Sequence, residues 1–350
     1  MPIDKSVYDS FPDPVILLDA NRHVIYANRA ARDLLGCRAE GGDLSLSVRH
    51  PAVLDAVDRL SDGVQEYIVE ISFPVPVPRT FELNAIHVSP RSEDNSPIVT
   101  NLLLFRDVTH TVRADQMRVD FVANVSHELR SPLAALLGFV ETLKGAASDD
   151  KEASGRFLDI MEREAHRMRR LIDDLLSLSR VEANEHVRPR EQIAITDCLR
   201  AALDALRLRA TEHEMTIKAT LGDDLPSVIG DSDQLTQVFH NLVENAIVHS
   251  NAKTQIEILI EAVARIPESG HAGICVHVRD HGAGIDKEMI PRLTERFFRA
   301  DPARSRTGPT SSTGLGLAIV KHIIARHRGR LTVESELDKG STFSVYLPSE

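Results

Sequence analysis

The sequence predicts a multidomain α+β protein, because its hydrophobic pattern changes twice along 350 residues. Residues 1–109 contain short segments of alternating apolar and polar residues, which are typical of strands in a small α/β domain. Residues 110–190 carry apolar side chains three or four positions apart, which predicts an antiparallel helical hairpin. Residues 191–350 alternate strand-like and helix-like segments, which predicts an α/β sandwich.

The composition excludes several classes of protein. The formal net charge is -11, tryptophan is absent and aromatic residues make up 4%, which argues against nucleic-acid binding. No apolar run reaches the length of about 18 residues that a membrane helix needs, so we expect no membrane segment in this chain. Cys37, Cys198 and Cys275 are too scattered for a disulfide framework or a zinc site. The expected location is cytoplasmic, or membrane-tethered if the native protein is longer.

In the first part, residues 15–19 and 23–27 have the pattern of two strands joined by a turn. Asn28 is placed to cap a short helix over 29–35, because its side chain can accept a hydrogen bond from a helical N–H. Three further strands are expected at 66–73, 80–88 and 98–105.

The middle part carries two apolar stripes at helical spacing. The first consists of Phe121, Val125, Leu129, Leu133, Leu136, Val140 and Leu143. The second consists of Phe157, Met161, Met168, Leu171, Leu175 and Leu178. A single hairpin cannot bury stripes this wide, whereas two hairpins paired as a four-helix bundle can, so we expect a homodimer.

His127 lies off the first stripe, since an ideal helix turns it about 200° away from Val125. A solvent-facing imidazole, with an unperturbed pKa of about 6.5, is a usable nucleophile at neutral pH. The adjacent Glu128 can accept the proton of one ring nitrogen and leave the other nitrogen free. Arg130 and Ser131 share the face of His127. Alone, such a histidine is usually an inert surface residue, so the remaining motifs decide whether His127 has a catalytic role.

Polar residues of the third part suit a magnesium nucleotide. Asn241 and Asn245 are four positions apart on one face of a predicted helix, and amide oxygens suit a magnesium ion that also binds phosphates. Asp280 leaves a predicted strand at a turn containing Gly282 and Gly284, where its carboxylate can accept a hydrogen bond from an adenine amino group. Each motif alone is weak.

A glycine-rich segment, Ser-Thr-Gly-Leu-Gly-Leu-Ala, precedes another predicted helix. Gly314 and Gly316 leave backbone N–H groups open to phosphate oxygens, and the helix dipole favours the negative charge. Arg299, Arg304 and Arg306 precede this segment and could neutralise a triphosphate.

Taken in order, these motifs resemble the H, N, G1, F and G2 boxes of bacterial sensor histidine kinases, over residues 115–350. The run at 290–299, Ile-Pro-Arg-Leu-Thr-Glu-Arg-Phe-Phe-Arg, is most similar to the phosphate-regulon (PhoR-like) subfamily. Residues 11–19 and 106–109 resemble a PAS domain. The resemblance implies a PAS-like domain, a dimeric phosphotransfer hairpin and an ATP-binding sandwich of the histidine kinase and Hsp90-like type.

The resemblance also implies roles for single residues. His127 would be the phosphoacceptor, with Glu128 as its acid–base partner, and Asn245 would bind Mg²⁺ with Asn241 near the phosphates. Asp280 would recognise adenine, and a mobile lid would run from about residue 298 to residue 313. The other implied nucleotide-binding residues are Gly282, Gly284, Ile285, Phe298, Arg299, Thr313, Gly314, Leu315, Gly316 and Leu317.

The implied activity is ATP-dependent autophosphorylation of His127, followed by transfer to an aspartate in the receiver domain of a separate, PhoB-like response regulator. Ser131 stands where the subfamily usually has threonine and keeps the hydroxyl implicated in regulator phosphatase activity. Val248 replaces a frequent lysine, which would remove one phosphate contact. This departure motivates an alternative, a non-catalytic scaffold that binds the regulator and uses ATP only structurally. ATPases of the chaperone or mismatch-repair type lack the helix that carries His127.

Overall fold

The computed structural model divides the chain into two compact units, Met1–Ala123 and Asn124–Glu350, and each is described by itself. The three domain limits expected from the sequence stay predictions. The following lie outside the described residues: Cys37, Arg304, Arg306, the first residue of the strand expected at 98–105, and residues 301–312 of the expected lid. The structure describes residues 5–35, 41–74, 78–88, 99–145, 150–222, 225–300 and 313–349.

The first unit is an antiparallel sheet with short helices. Its strands are β1 (Val15–Leu18), β2 (Val24–Ala27), β3 (Glu66–Phe73), β4 (Arg79–His87) and β5 (Asn101–Asp107). Its helices are α1 (Lys5–Asp9), α2 (Arg29–Leu35), α3 (Leu44–Ser47) and α4 (Pro51–Ser61). The strand order β2-β1-β5-β4-β3 places the last strand beside the first. Helix α4 packs its apolar face on β3 and β4, where the core of the unit lies.

Asn28 fixes the junction between β2 and α2. Its Oδ1 accepts hydrogen bonds of 2.9 Å from the backbone nitrogens of Val15 and Ala31, and its Nδ2 donates to the Asp13 carbonyl at 2.9 Å. The amide is completely buried, so these bonds compensate for its desolvation. The prediction that Asn28 caps α2 is confirmed.

Two long helices follow, α5 (Thr109–Lys144) and α6 (Lys151–Ala183). Asp150 caps α6 by accepting hydrogen bonds from the second and third residues of the helix. Phe139 and Phe157 stack across the pair, with ring centroids 5.3 Å apart. The expected stripes are only partly covered within one chain, since Leu171 and Leu178 are buried whereas Leu133 is 49% exposed.

The rest of the second unit is the expected α/β sandwich. Its helices are α7 (Ile195–Glu212), α8 (Ser232–His249) and α9 (Gly316–Arg326). Its strands are β6 (Glu191–Ile193), β7 (Thr216–Leu221), β8 (Val228–Gly230), β9 (Gln255–Val263), β10 (Gly273–Arg279), β11 (Arg330–Glu336) and β12 (Gly340–Pro348). The large sheet has the order β11-β12-β10-β9-β7, in which only the β7–β9 pair among these described strands is parallel. Strands β6 and β8 form a separate pair that the sequence did not predict.

Candidate active site

Helix α8 presents two amides opposite its buried face. Leu235, Val238, Phe239, Leu242, Val243 and Ala246 are buried. Asn241 and Asn245 fall on the other side of the helix and line a cavity of about 1120 Å³. Asn241 Nδ2 donates a hydrogen bond of 3.3 Å to the Gly316 carbonyl, which ties α8 to the first turn of α9.

This cavity collects nearly all of the nucleotide-binding residues that the sequence suggested. Of those residues, Gly282 and Leu315 are the two that do not line it. Leu315 is completely buried, and the backbone nitrogen of Gly282 donates a hydrogen bond to Asp280 Oδ1. An apolar part of the wall combines predicted and unpredicted residues: Ile285, Met289, Leu293, Phe298, Leu317, Leu337 and Phe343.

Asp280 follows β10 and points its carboxylate at the cavity wall. The residue is 4% exposed, and its Oδ1 accepts hydrogen bonds of 2.9 Å from the Gly282 nitrogen and 3.2 Å from the Ser341 nitrogen. Burial raises the pKa of the Asp280 carboxyl above its usual value, while the two N–H bonds oppose that rise. Since both bonds end on Oδ1, the carboxylate can offer Oδ2 to a donor on a ligand.

Two turns at the cavity require glycine. Gly284 has φ +70°, and a Cβ there would clash with the Glu336 carbonyl. Gly314 has φ +72°, and a Cβ there would lie 2.9 Å from the Phe297 Cα. Because side chains are disfavoured at this φ even in open space, these glycines set the path of both turns.

Helix α9 begins at the cavity. Gly316 is its first residue and Leu315 its N-cap, so the unpaired N–H groups and the positive end of the helix dipole lie at the cavity wall. Thr313 Oγ1 accepts a hydrogen bond of 3.3 Å from the Leu315 nitrogen. Such a helix start is suited to bind phosphate oxygens.

His127 is exposed on α5, as the helical spacing predicted. Within the part of the chain that the structure describes, its ring makes no hydrogen bond, and it does not line the cavity. Arg130 and Ser131 are also exposed and outside the cavity. The structure therefore does not bring these catalytic candidates to the cavity in this conformation.

Among the described residues, Glu128 makes no hydrogen bond to the His127 ring, although the sequence predicted that its carboxylate accepts a ring proton. Its Oε2 accepts hydrogen bonds of 3.0 Å from Arg167 on α6 and 3.4 Å from Arg299. Arg299 also lines the cavity, so Glu128 links the helix that carries His127 to the cavity wall. The two guanidinium groups hold the Glu128 carboxylate by charge-assisted hydrogen bonds.

Sequence reasoning missed the contribution of other helices to this cavity. Arg170, Asp173 and Asp174 of α6 and Arg209 of α7 line it, and Arg209 forms an ion pair with Glu244 of α8. These residues belong to none of the motifs, and only the packing of α6 against α9 and of α7 against α8 brings them there.

Three families match successive parts of the chain. A PAS domain matches residues 5–67, the His Kinase A (phospho-acceptor) domain matches 117–184, and the "Histidine kinase-, DNA gyrase B-, and HSP90-like ATPase" family matches 230–350. None of the described helices is long and apolar enough to cross a membrane.

Curated relatives extend the match to nearly the whole chain. The phosphate regulon sensor protein PhoR of Pseudomonas aeruginosa is 36% identical over 341 residues, which are 96% of this chain and 72% of the relative. The sensor histidine kinase WalK of Bacillus subtilis is 31% identical over 98% of this chain, but the chain spans only 54% of that relative. The solved histidine kinase ThkA, in complex with the response regulator TrrA, shares the fold, with a TM-score of 0.51 at 19% identity over 99% of this chain and 98% of that one. The chain therefore belongs to the sensor histidine kinases of two-component systems, as an ATP-using protein-histidine kinase similar to the PhoR sensor kinase.

Proposed function

We propose that this kinase transfers the γ-phosphoryl group of ATP to His127 and then to an aspartate of a separate response regulator. The observation that carries the proposal is the cavity itself. It joins the amides of α8, the buried Asp280 and the start of α9 in one site, next to an arginine that reaches the helix of His127.

Within this site, Asp280 would accept a hydrogen bond from the adenine amino group, and the apolar wall would cover the ring. The start of α9 would bind the phosphates. Asn245 would hold Mg²⁺, with Asn241 beside it, because neutral amide oxygens complete the coordination of an ion that phosphate oxygens already bind. The ion would neutralise phosphate charge during transfer.

The reacting nitrogen belongs to a histidine that is exposed and unpaired among the described residues. Because His127 lies outside the cavity, transfer requires the ATP-binding part, residues 191–350, to move relative to α5 until the bound ATP reaches His127. Release of Glu128 from Arg167 and Arg299 would free its carboxylate to accept the other ring proton. Such a closing movement is common where a domain must bring a bound nucleotide to its acceptor.

We further propose that two copies pair through their hairpins and that the regulator is PhoB-like. Exposed apolar side chains on α5 and α6 support the pairing: Val122, Leu133, Leu137, Leu158 and Leu176. The regulator is proposed from the similarity to PhoR and from the regulator bound in the ThkA complex. The exposed Ser131 hydroxyl would serve the phosphatase reaction.

A specific observation keeps the scaffold alternative open. Val248 lines the cavity, so an apolar side chain occupies part of the wall where a cation would help to bind phosphate. Arg209 lines the same cavity and is paired with Glu244. The two functions differ in whether phosphohistidine forms.

The deciding experiment is incubation with magnesium and γ-labelled ATP. The kinase hypothesis predicts a label on the wild-type chain that is lost in acid and survives base, and no label on His127→Ala. Asn124→Ala is the control, because Asn124 is exposed three positions before His127 on the same helix face and has no predicted role, and this variant should retain the label. Normal labelling of His127→Ala would contradict the proposal, and ATP binding without any phosphohistidine would favour the scaffold.

A further inference from the structure

Asp174 joins α6 to the nucleotide cavity. Its Oδ2 accepts a hydrogen bond of 2.7 Å from the Thr313 hydroxyl, and both side chains line the cavity. The same hydroxyl accepts a hydrogen bond from the nitrogen of Leu315, the N-cap of α9. Asp174 therefore acts through Thr313 on the helix start where the phosphates are proposed to bind.

The negative charge of Asp174 opposes a triphosphate, whereas Arg170, Arg209 and Arg299 on the same cavity wall attract it. Burial raises the pKa of the Asp174 carboxyl; the Thr313 bond opposes the rise, and the negative charge of Glu244 adds to it. Arg170 offsets part of this negative charge, whereas Asp173 increases it. A carboxylate held at this wall repels phosphate oxygens and competes with them for the same donors.

In two further contacts, a carboxylate of the hairpin also accepts a hydrogen bond from the ATP-binding part. Glu128 of α5 accepts a hydrogen bond from Arg299, which lines the cavity. Farther from the cavity, Glu182 of α6 accepts a hydrogen bond of 2.6 Å from Arg296. In all three contacts the hairpin supplies the carboxylate and the ATP-binding part supplies the donor. A bound triphosphate would compete with Asp174 and Glu128, whereas the Glu182 contact lies outside the cavity wall.

We propose that Asp174 is a latch whose bond to Thr313 holds the ATP-binding part on the hairpin, and that ATP binding breaks this bond. The inference rests on the proposed function, since it needs ATP phosphates at the start of α9. Coupling of two binding events is reciprocal, so a latch that ATP must break weakens ATP binding by the same factor. The latched conformation also keeps His127 away from the cavity, so the latch suppresses autophosphorylation until nucleotide binds.

The test is the affinity of the full chain for a non-hydrolysable ATP analogue with Mg²⁺, measured by calorimetry. Asp174→Ala removes the bond and the charge, and Asp174→Asn removes the charge at almost constant shape. Asp174→Ala should bind the analogue about fivefold to tenfold more tightly than the wild type, since a coupling of ordinary size is released. Asp174→Asn should gain less, because its amide oxygen can still accept the hydrogen bond from Thr313. A damaged fold would weaken binding instead. Equal or weaker binding in both variants would overturn the latch.

Asp173→Ala is the matched control, because Asp173 is the adjacent residue, also lines the cavity, and is not the acceptor for Thr313. It reports the gain in affinity from lost negative charge alone, which should be smaller than the gain in Asp174→Ala. Hydrogen exchange without nucleotide tests the latch independently of ATP. Amides of 170–183 and 313–320 should exchange faster in Asp174→Ala than in Asp173→Ala, and equal exchange would overturn the latch. If neither wild type nor variants bind the analogue, the proposed function fails, while the exchange experiment still decides the latch.

Discussion

His327 Nε2 lies 2.9 Å from the backbone nitrogen of Asp231, so the residue that ends α9 accepts a hydrogen bond from the residue that caps α8. The other ring nitrogen, Nδ1, lies 2.7 Å from the Ile323 carbonyl. A carbonyl needs a donor and an N–H needs an acceptor, so only the neutral tautomer protonated at Nδ1 satisfies both partners. This ring joins the two helices that carry Asn241 and Gly316.

The first prediction is a pH dependence of stability from His327. The ring is 2% exposed, and burial lowers its pKa below the usual value. Below a pH of about 6.5 the unfolded chain binds a proton that the native ring does not, so stability falls as pH decreases through this range. Urea unfolding at a series of pH values should show this fall. His327→Gln, which can still accept from Asp231, should lose about 1–2 kcal/mol and flatten the profile. If stability depended on pH equally in the wild type and in His327→Gln, the assigned neutral tautomer of His327 would be contradicted.

The second prediction separates stability from nucleotide binding at Asp280. Asp280→Asn keeps an oxygen that can accept hydrogen bonds from the Gly282 and Ser341 nitrogens. It removes a buried carboxyl group whose pKa is raised. Because the pKa of the Asp280 carboxyl is raised in the native state, its ionisation lowers the free energy of unfolding as pH rises. The Asp280→Asn variant should therefore unfold at a higher temperature than the wild type at pH 7. Its ATP affinity should fall about tenfold or more, because the amide can also present a donor to the adenine amino group. A variant with lower stability at pH 7 would contradict this account.

The third prediction concerns the backbone at Gly314. Gly314→Ala places a Cβ against the Phe297 backbone at φ +72°, whereas Gly270→Ala has the same φ of +72° and meets nothing within 4 Å. Gly270→Ala should cost only backbone strain, about 1 kcal/mol, and leave ATP binding intact. Gly314→Ala should cost more and weaken ATP binding, because the turn before α9 must shift. Equal destabilisation and equal affinity in the two variants would show that the Phe297 contact is unimportant.

The sequence predicted those parts of the site whose geometry is local. The spacing of Asn241 and Asn245 sets one helical face, and glycines beside a predicted helix mark the start of α9. The resemblance to phosphate-regulon sensor kinases is confirmed by the match to PhoR. Contacts between distant segments were not predictable, since Glu128 meets Arg167 and Arg299 across 39 and 171 residues of chain. The three-residue strands β6 and β8 are too short to show alternation.

The last prediction is a gain of nucleotide affinity at Val248. This side chain is half-buried and lines the cavity, on the same helix as Asn241 and Asn245. Val248→Lys would add a positive charge near the phosphates, and the attraction should tighten binding of Mg²⁺–ATP about threefold to fivefold at low salt. The gain should shrink as ionic strength rises, because salt screens an exposed charge. Val248→Met is the control, since it adds length without charge and should bind as the wild type does. Equal gains in both variants would trace the effect to packing rather than charge, and no gain in either would place the phosphates away from this end of α8.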